Sequence, residues 1–197
     1  MSALSPAGRL TIPAPDIIKL LNLQKHPEGG YYSETHRQPE EIPSPFSDKQ
    51  LRRLATTIYY FLNAEEAIGV FHINKSATMH VLHQGRVEYT LIYPENPPRI
   101  EKAIMGPDIA NGEVLQLHVD SNIWKKSKIL DEDLELAKTD PAKRDEIGCL
   151  ITEVVFPGFA WEDHHYLTRE KLEDLWGGKD GWQEWLPFVR NPISTEK

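Results

Sequence analysis

An all-β sandwich or barrel with short helices at its ends is the fold class that this 197-residue chain predicts. Short β-branched and aromatic runs recur from Thr56 to Val119 at near-regular spacing, with Gly, Pro and Asn turn chemistry between them. Apolar residues at helical spacing occur near the two ends of the chain. At 40% hydrophobic and 26% charged, the composition is that of one globular domain, long enough to close a core around a ligand cavity.

Residues 1–15 are small, polar and punctuated by proline, and predict a mobile leader. One domain spans residues 16–190, and residues 191–197 are a tail. A helix is expected from Asp16, a good N-cap, through Leu23. Arg37 to Lys49 holds Pro39, Pro43 and Pro45 without periodicity and reads as an exposed loop. Strands follow at Thr56–Leu62, Ile68–Ile73, Met79–His83 and Arg86–Tyr93, the last alternating as a half-buried strand should. Two more are expected at Arg99–Met105 and Glu113–Val119. Residues 125–147 carry many charges and little apolar periodicity, and predict a surface insertion between strands. Cys149–Phe156 returns to β structure. Thr168 to Trp176 is a capped amphipathic helix, after which Trp182, Trp185, Leu186 and Phe188 pack a last turn onto the barrel.

Twenty-two Lys and Arg stand against 30 Asp and Glu, for a net charge of −8. That excess of acid argues against nucleic acid and anionic membranes as partners. A single cysteine, Cys149, in the apolar run Gly148-Cys149-Leu150-Ile151, excludes an internal disulfide and reads as a small buried hydrophobe. The first residues lack a secretory core, and the apolar runs are too short to span a bilayer, which predicts a cytoplasmic or nuclear protein. Nucleophile-elbow, P-loop and dinucleotide-binding glycine motifs are missing from the sequence.

Eight histidines carry most of the chemical potential. Residues two apart share a strand face, so Val70, His72 and Asn74 point one way and Phe71 and Ile73 the other. Thr78 and His80 share a face on the next strand, with His83 opposite, so the pair His80 and His83 cannot chelate one metal. On the strand after Glu113 the polar face is Gln116, His118 and Asp120. His72, His80 and either Gln116 or His118 are therefore expected to converge on a lumen, against the simpler reading that each is a satisfied core histidine. His164 and His165, beside Glu162 and Asp163, read as a solvated loop. In His26-Pro27-Glu28-Gly29-Gly30-Tyr31-Tyr32-Ser33-Glu34 two glycines permit a turn closed to other residues. Glu28, Tyr32 or Glu34 rims a pocket there, or the tyrosines simply fill core. Trp124 and Phe159 are aromatics able to wall a pocket, though such residues are mostly core.

The ordered set His26-Pro-Glu-Gly-Gly-Tyr-Tyr, Thr57-Ile-Tyr-Tyr-Phe-Leu, Phe71-His72, Gly112-Glu-Val-Leu-Gln116 and Val155-Phe-Pro-Gly-Phe159 resembles one subfamily of the cupin superfamily, of largely unassigned function. Ile73–Ser76 and His80–Gly85 resemble its fungal members. The resemblance spans Leu20 to Tyr166. It implies a double-stranded β-helix, the jelly-roll barrel, with a ligand pocket inside and commonly a homodimer. The usual cupin metal ligands would fall on His72, Asn74 and Thr78, with a later one close to Lys125. Only the first is a strong ligand, and a lysine cation would repel a metal. No cofactor is expected on this ground. The alternative is a divalent metal in a shifted shell of His72, His80 and Gln116.

The function predicted is a small-molecule-binding cupin, acting as a metal-independent epimerase, isomerase or cyclase on a polar or carbohydrate-like molecule, by fold analogy. His72 would be the base, His80 its partner or the acid, Tyr60 or Tyr32 a proton donor, and Glu153 an orienting carboxylate. A non-catalytic ligand-binding or sensing module and a metal-dependent cupin with a non-standard shell are the alternatives.

Overall fold

Residues 8–190 are described by the structure, a computed structural model. The strands are β1 (Gln24–Lys25), β2 (Tyr31–Arg37), β3 (Glu41–Pro43), β4 (Leu51–Arg53), β5 (Thr56–Asn63), β6 (Ile68–Asn74), β7 (Ala77–Gly85), β8 (Val87–Tyr93), β9 (Arg99–Met105), β10 (Gln116–Val119), β11 (Trp124–Lys128), β12 (Gly148–Phe156) and β13 (His164–Tyr166). One sheet has the order β1-β2-β5-β12-β7-β10 and the other β13-β6-β11-β8-β9, while β3 and β4 form a separate hairpin. The strand pairings are antiparallel. This is the jelly-roll barrel that the sequence predicts.

Three apolar layers hold it. Between the sheets, Tyr60, Leu62, Cys149 and Ile151 of one wall meet Val87, Tyr89 and Met105 of the other. Outside the first sheet, Leu10, Ala14, Ile17 and Leu23 cover Phe61 and Leu150. Outside the second, Leu167, Leu172, Trp182 and Trp185 cover Phe71, Ile92 and Trp124. Each large apolar side chain buried in these layers contributes roughly 2 kcal/mol. Cys149 is buried, and the surrounding apolar groups push its thiol pKa upward, as expected of a core cysteine.

Leu10, within the stretch expected to be a leader, is buried with Phe61 and Leu150, while residues 1–7 of that stretch and the expected tail, 191–197, lie outside the described residues. The first helix, α1, runs Ala14–Leu20 with Pro13 rather than Asp16 at its N-cap. Proline pre-sets the φ of a first turn, and Asp16 lies within that turn, where its charge complements the helix dipole. The segment read as an exposed loop contains β3 and leads into β4, with Ser44 and Ser47 buried. Pro43 is tolerated because the two-stranded ribbon leaves edge positions that need no donor.

The largest departure lies at residues 125–147. The first of these belong to β11, which is hydrogen-bonded on both sides, to β6 and β8. Lys125 and Lys126 are each 2% exposed. Two lysines fit a central strand because Lys125 faces the lumen and finds a carboxylate, while the Lys126 ammonium lies 4.3 Å from the Phe188 ring centroid. The helix α2 (Asp131–Thr139) follows, its Asp133 tied to Arg86 at 2.7 and 2.8 Å. At the C-terminal end Thr168 caps α3 (Arg169–Leu175) by accepting from the Lys171 amide. No helix among the described residues is long and apolar enough to cross a membrane.

Candidate functional site in the barrel lumen

Two polar groups occupy the lumen. The first is built on Lys125. An antiparallel ladder joins β7 to β12, with Glu153 directly across from His80, and β11 of the other sheet faces them across the lumen. The Lys125 ammonium donates to Glu153 Oε1 at 2.6 Å and to Thr78 Oγ1 at 3.0 Å, and lies 3.3 Å from His80 Nε2. All three of its N–H bonds thus have acceptors within the barrel. His80, fully buried, also holds the Leu117 carbonyl at 3.0 Å through Nδ1. Burial works to raise the Glu153 pKa, but the Lys125 ammonium, with His80 beside it, holds it well below the usual carboxylate range. Charge and hydrogen bonds are closed on themselves here.

The second group is built on Glu28. It rides the turn between β1 and β2, where Gly29 and Gly30 adopt φ of +105° and +71°. A Cβ at Gly29 would run into the Ile68 carbonyl, and one at Gly30 into that of Phe61, so only glycine brings the turn this close to the barrel wall. Its carbonyl accepts from the Val70 amide at 2.8 Å, and the Tyr60 hydroxyl donates to the Gly29 carbonyl at 2.9 Å. So fixed, Glu28 Oε1 accepts from His164 Nε2 at 2.6 Å, and Oε2 lies 3.3 Å from His72 Nδ1 and 3.7 Å from His26 Nδ1. The His72 and His164 rings stack at 5.3 Å.

Strand register supplies the remaining groups. His164 pairs with Asn74 and Tyr166 with His72, so all four side chains share the lumen face. Asn74 Oδ1 and the Tyr166 hydroxyl are buried without a hydrogen-bond partner, Arg190 lying over the tyrosine ring. Such groups are costly to bury unpaired. Phe159 and the exposed Trp161 pack edge-on to His164, at 5.7 and 5.5 Å. The turn before β13 is pinned by Asp163, which accepts from Arg52 at 2.7 and 3.0 Å and from Ser47 at 2.8 Å.

Burial pushes the His72 imidazole down to about 4, against the pull of Glu28. Burial also works to raise the Glu28 pKa, but His72, His26 and His164 around it hold it at about 2. At neutral pH these directions meet in one state: an ionised Glu28 that accepts an N–H bond from His164, with His72 neutral. His72 Nδ1 sits 3.0 Å from the Val70 carbonyl, so that nitrogen carries the hydrogen and Nε2 the lone pair.

The sequence-predicted site is partly rearranged. His72 faces the lumen as expected, but its low pKa makes it a weak base. His80 and Glu153 also face the lumen, within the closed Lys125 group. Tyr60 serves the glycine turn, and burial holds its pKa well up. Tyr32 is half-buried, edge-on to His26 at 4.6 Å. Glu34 is exposed and paired with Arg37 at 2.7 Å. Gln116 and His118 point to solvent, because β10 turns its polar face outward at the sheet edge. The shifted shell of His72, His80 and Gln116 therefore does not assemble. Trp124 belongs to the outer core, away from the lumen. Phe159 lies beside the Glu28 group. His164 corrects the solvated-loop reading: adjacent strand residues alternate, so His165 is exposed and His164 buried.

The positions carrying the usual cupin metal pattern do not fit a metal. Lys125 and Thr78 are joined by a hydrogen bond, so an ammonium occupies their meeting point.

A family model described as Cupin_5, cupin superfamily (DUF985), matches residues 15–167. The uncharacterized protein YML079W of Saccharomyces cerevisiae is 35% identical over 192 residues, covering 89% of this chain and 90% of that protein. A hypothetical protein from Leishmania major has the same fold, with a TM-score of 0.74 at 24% identity, over 89% of this chain and 98% of its own. Protein SO0799 from Shewanella oneidensis follows at 0.70 and 26%, over 92% and 100%.

Proposed function

This chain belongs to the Cupin_5 family (DUF985) of the cupin superfamily, and on that premise we propose that it binds a small polar molecule at the Glu28 end of its lumen and acts on it by proton transfer, as an isomerase or epimerase does. The observation that carries this is the combination at one place of a fixed imidazole–carboxylate pair with two buried, unpartnered polar groups. A carbonyl compound lodged there would lose a proton from the adjacent carbon to the His164–Glu28 pair. The charge developing on its oxygen would be met by the Tyr166 hydroxyl, whose pKa burial raises, so that it stays a donor. Asn74 Oδ1 would accept from a substrate hydroxyl. Phe159 and Trp161 would flank the entrance.

The test is carbon-bound hydrogen exchange. The protein is incubated in D2O with aldoses, ketoses and 2-hydroxy or 2-oxo acids, and C–H signals are followed by proton NMR. Exchange that is lost in Tyr166→Phe and His164→Ala is the expected result. Exchange retained in both variants, or none from any compound, overturns the reading; tight binding without exchange would make the protein a binding module. The homodimer is part of the same proposal and is read from the solution mass by light scattering.

A further inference from the structure

We propose that Glu28, His72 and His164 together bind one divalent transition-metal ion, zinc or a close relative, through one carboxylate oxygen and one ring nitrogen from each histidine. This rests on the reading that the Glu28 end is the working end of the lumen, but not on any proton-transfer step, since an ion held by Glu28 and His164 would take the place of their role as proton acceptor. One donor atom from each of the three residues lies within 4.8 Å of the other two, and all three side chains are buried. They come from the glycine turn, β6 and β13, elements far apart in sequence that are tied together by the β6–β13 pairing and by the Val70 amide on the Glu28 carbonyl.

The donor chemistry selects the ion. Two imidazoles and one carboxylate suit zinc, iron, manganese or nickel, whereas calcium and magnesium prefer oxygen donors throughout. His72 already gives Nδ1 to the Val70 carbonyl at 3.0 Å, the kind of outer contact through which metal-bound imidazoles are oriented. Charge points the same way. The lumen holds the carboxylates of Glu28 and Glu153 but one ammonium, Lys125, which is committed to Glu153. Glu28 thus faces only histidines among the described residues. Three protein ligands would leave a position open, and Asn74 Oδ1 and the Tyr166 hydroxyl flank it on the shared face. A bound ion would supply polarisation of a substrate oxygen there.

This is not the seat that the cupin pattern marks, which Lys125 fills; only His72 is common to both. The sequence pattern and the structure therefore make opposite statements about metal at two neighbouring places.

The experiment uses the full chain, purified without a histidine tag, stripped with chelator and titrated with zinc by calorimetry and with cobalt(II) by visible absorption. One equivalent is expected to bind, with the absorption of a low-coordinate nitrogen–oxygen cobalt site. Glu28→Gln and His164→Ala should each weaken binding by more than the roughly 10- to 100-fold that loss of an outer partner costs. Substitution of the exposed histidines, His165→Ala beside the site and His118→Ala on the opposite sheet, should leave it unchanged. No stoichiometric cobalt signal from the folded wild-type protein overturns the proposal, whatever the variants do. So does binding that survives in both Glu28→Gln and His164→Ala. Substrate exchange without metal binding would sink this site and leave the proton-transfer reading intact. Metal binding without exchange would support the site and count against that reading.

Discussion

The two polar groups of the lumen each set a buried glutamate beside histidine and differ in whether they are finished. At the Lys125 end one ammonium meets one carboxylate at 2.6 Å, and Thr78 and His80 take up the remaining donors. At the Glu28 end, among the described residues, a carboxylate meets only imidazoles, and Asn74 and Tyr166 keep unpartnered polar atoms. A closed network rigidifies and specifies a core, whereas an open one retains interaction energy for something not yet bound. Barrel integrity is thus assigned to one end and the proposed chemistry to the other.

Breaking the closed end should have the largest effect. Lys125→Met leaves Glu153 as a buried charge without its partner and should cost about 3–5 kcal/mol, read by urea unfolding. Lys125→Met combined with Glu153→Leu should recover most of that loss, since an apolar pair of similar volume needs no compensation. If the double variant is no more stable than the single, the stabilising element is not the charge pair.

Acid should weaken the protein through His72 next. Its folded pKa, about 4, lies below the ordinary 6.5, so between these values the unfolded chain binds a proton that the folded one refuses. Stability therefore rises with pH across that window and falls as pH drops from 6.5 toward 4, by up to about 3 kcal/mol. The carboxylates Glu28 and Glu153, held low, add a further loss at lower pH, as it falls below about 4.5. In His72→Asn the slope between pH 6.5 and 4 should shrink by about one proton; an unchanged slope would remove His72 from the account.

The open end should tolerate the loss of an unpartnered group. Tyr166→Phe removes a buried hydroxyl without a hydrogen-bond partner and should change stability by no more than about 1 kcal/mol. At the far end of the scale, Gln116→Ala and His118→Ala should each shift stability by under about 0.5 kcal/mol, as at ordinary surface positions.

How much of this was legible follows from local geometry. The barrel strands announce themselves because β-branched and aromatic runs such as Thr56–Leu62 alternate between filled faces. The Glu28 turn is legible because two consecutive glycines mark a backbone path that side chains would block. β11 is not: Trp124-Lys125-Lys126-Ser127-Lys128 reads as solvated, and only the distant Glu153 and Phe188 account for the burial of its lysines. His164 is hidden for a different reason. A three-residue strand is too short to show a period, and its anchor, Asp163 with Arg52, joins residues 111 apart in the chain. Gln116 and His118 mislead because alternation identifies two faces without saying which is inside.

The most direct test of this division is urea unfolding of wild type, Lys125→Met and Tyr166→Phe side by side at pH 7. The account predicts a loss of about 3–5 kcal/mol for the first variant and at most about 1 kcal/mol for the second. Equal losses, or the larger loss at Tyr166, would contradict it, because the open end would then be holding the fold together as firmly as the closed one.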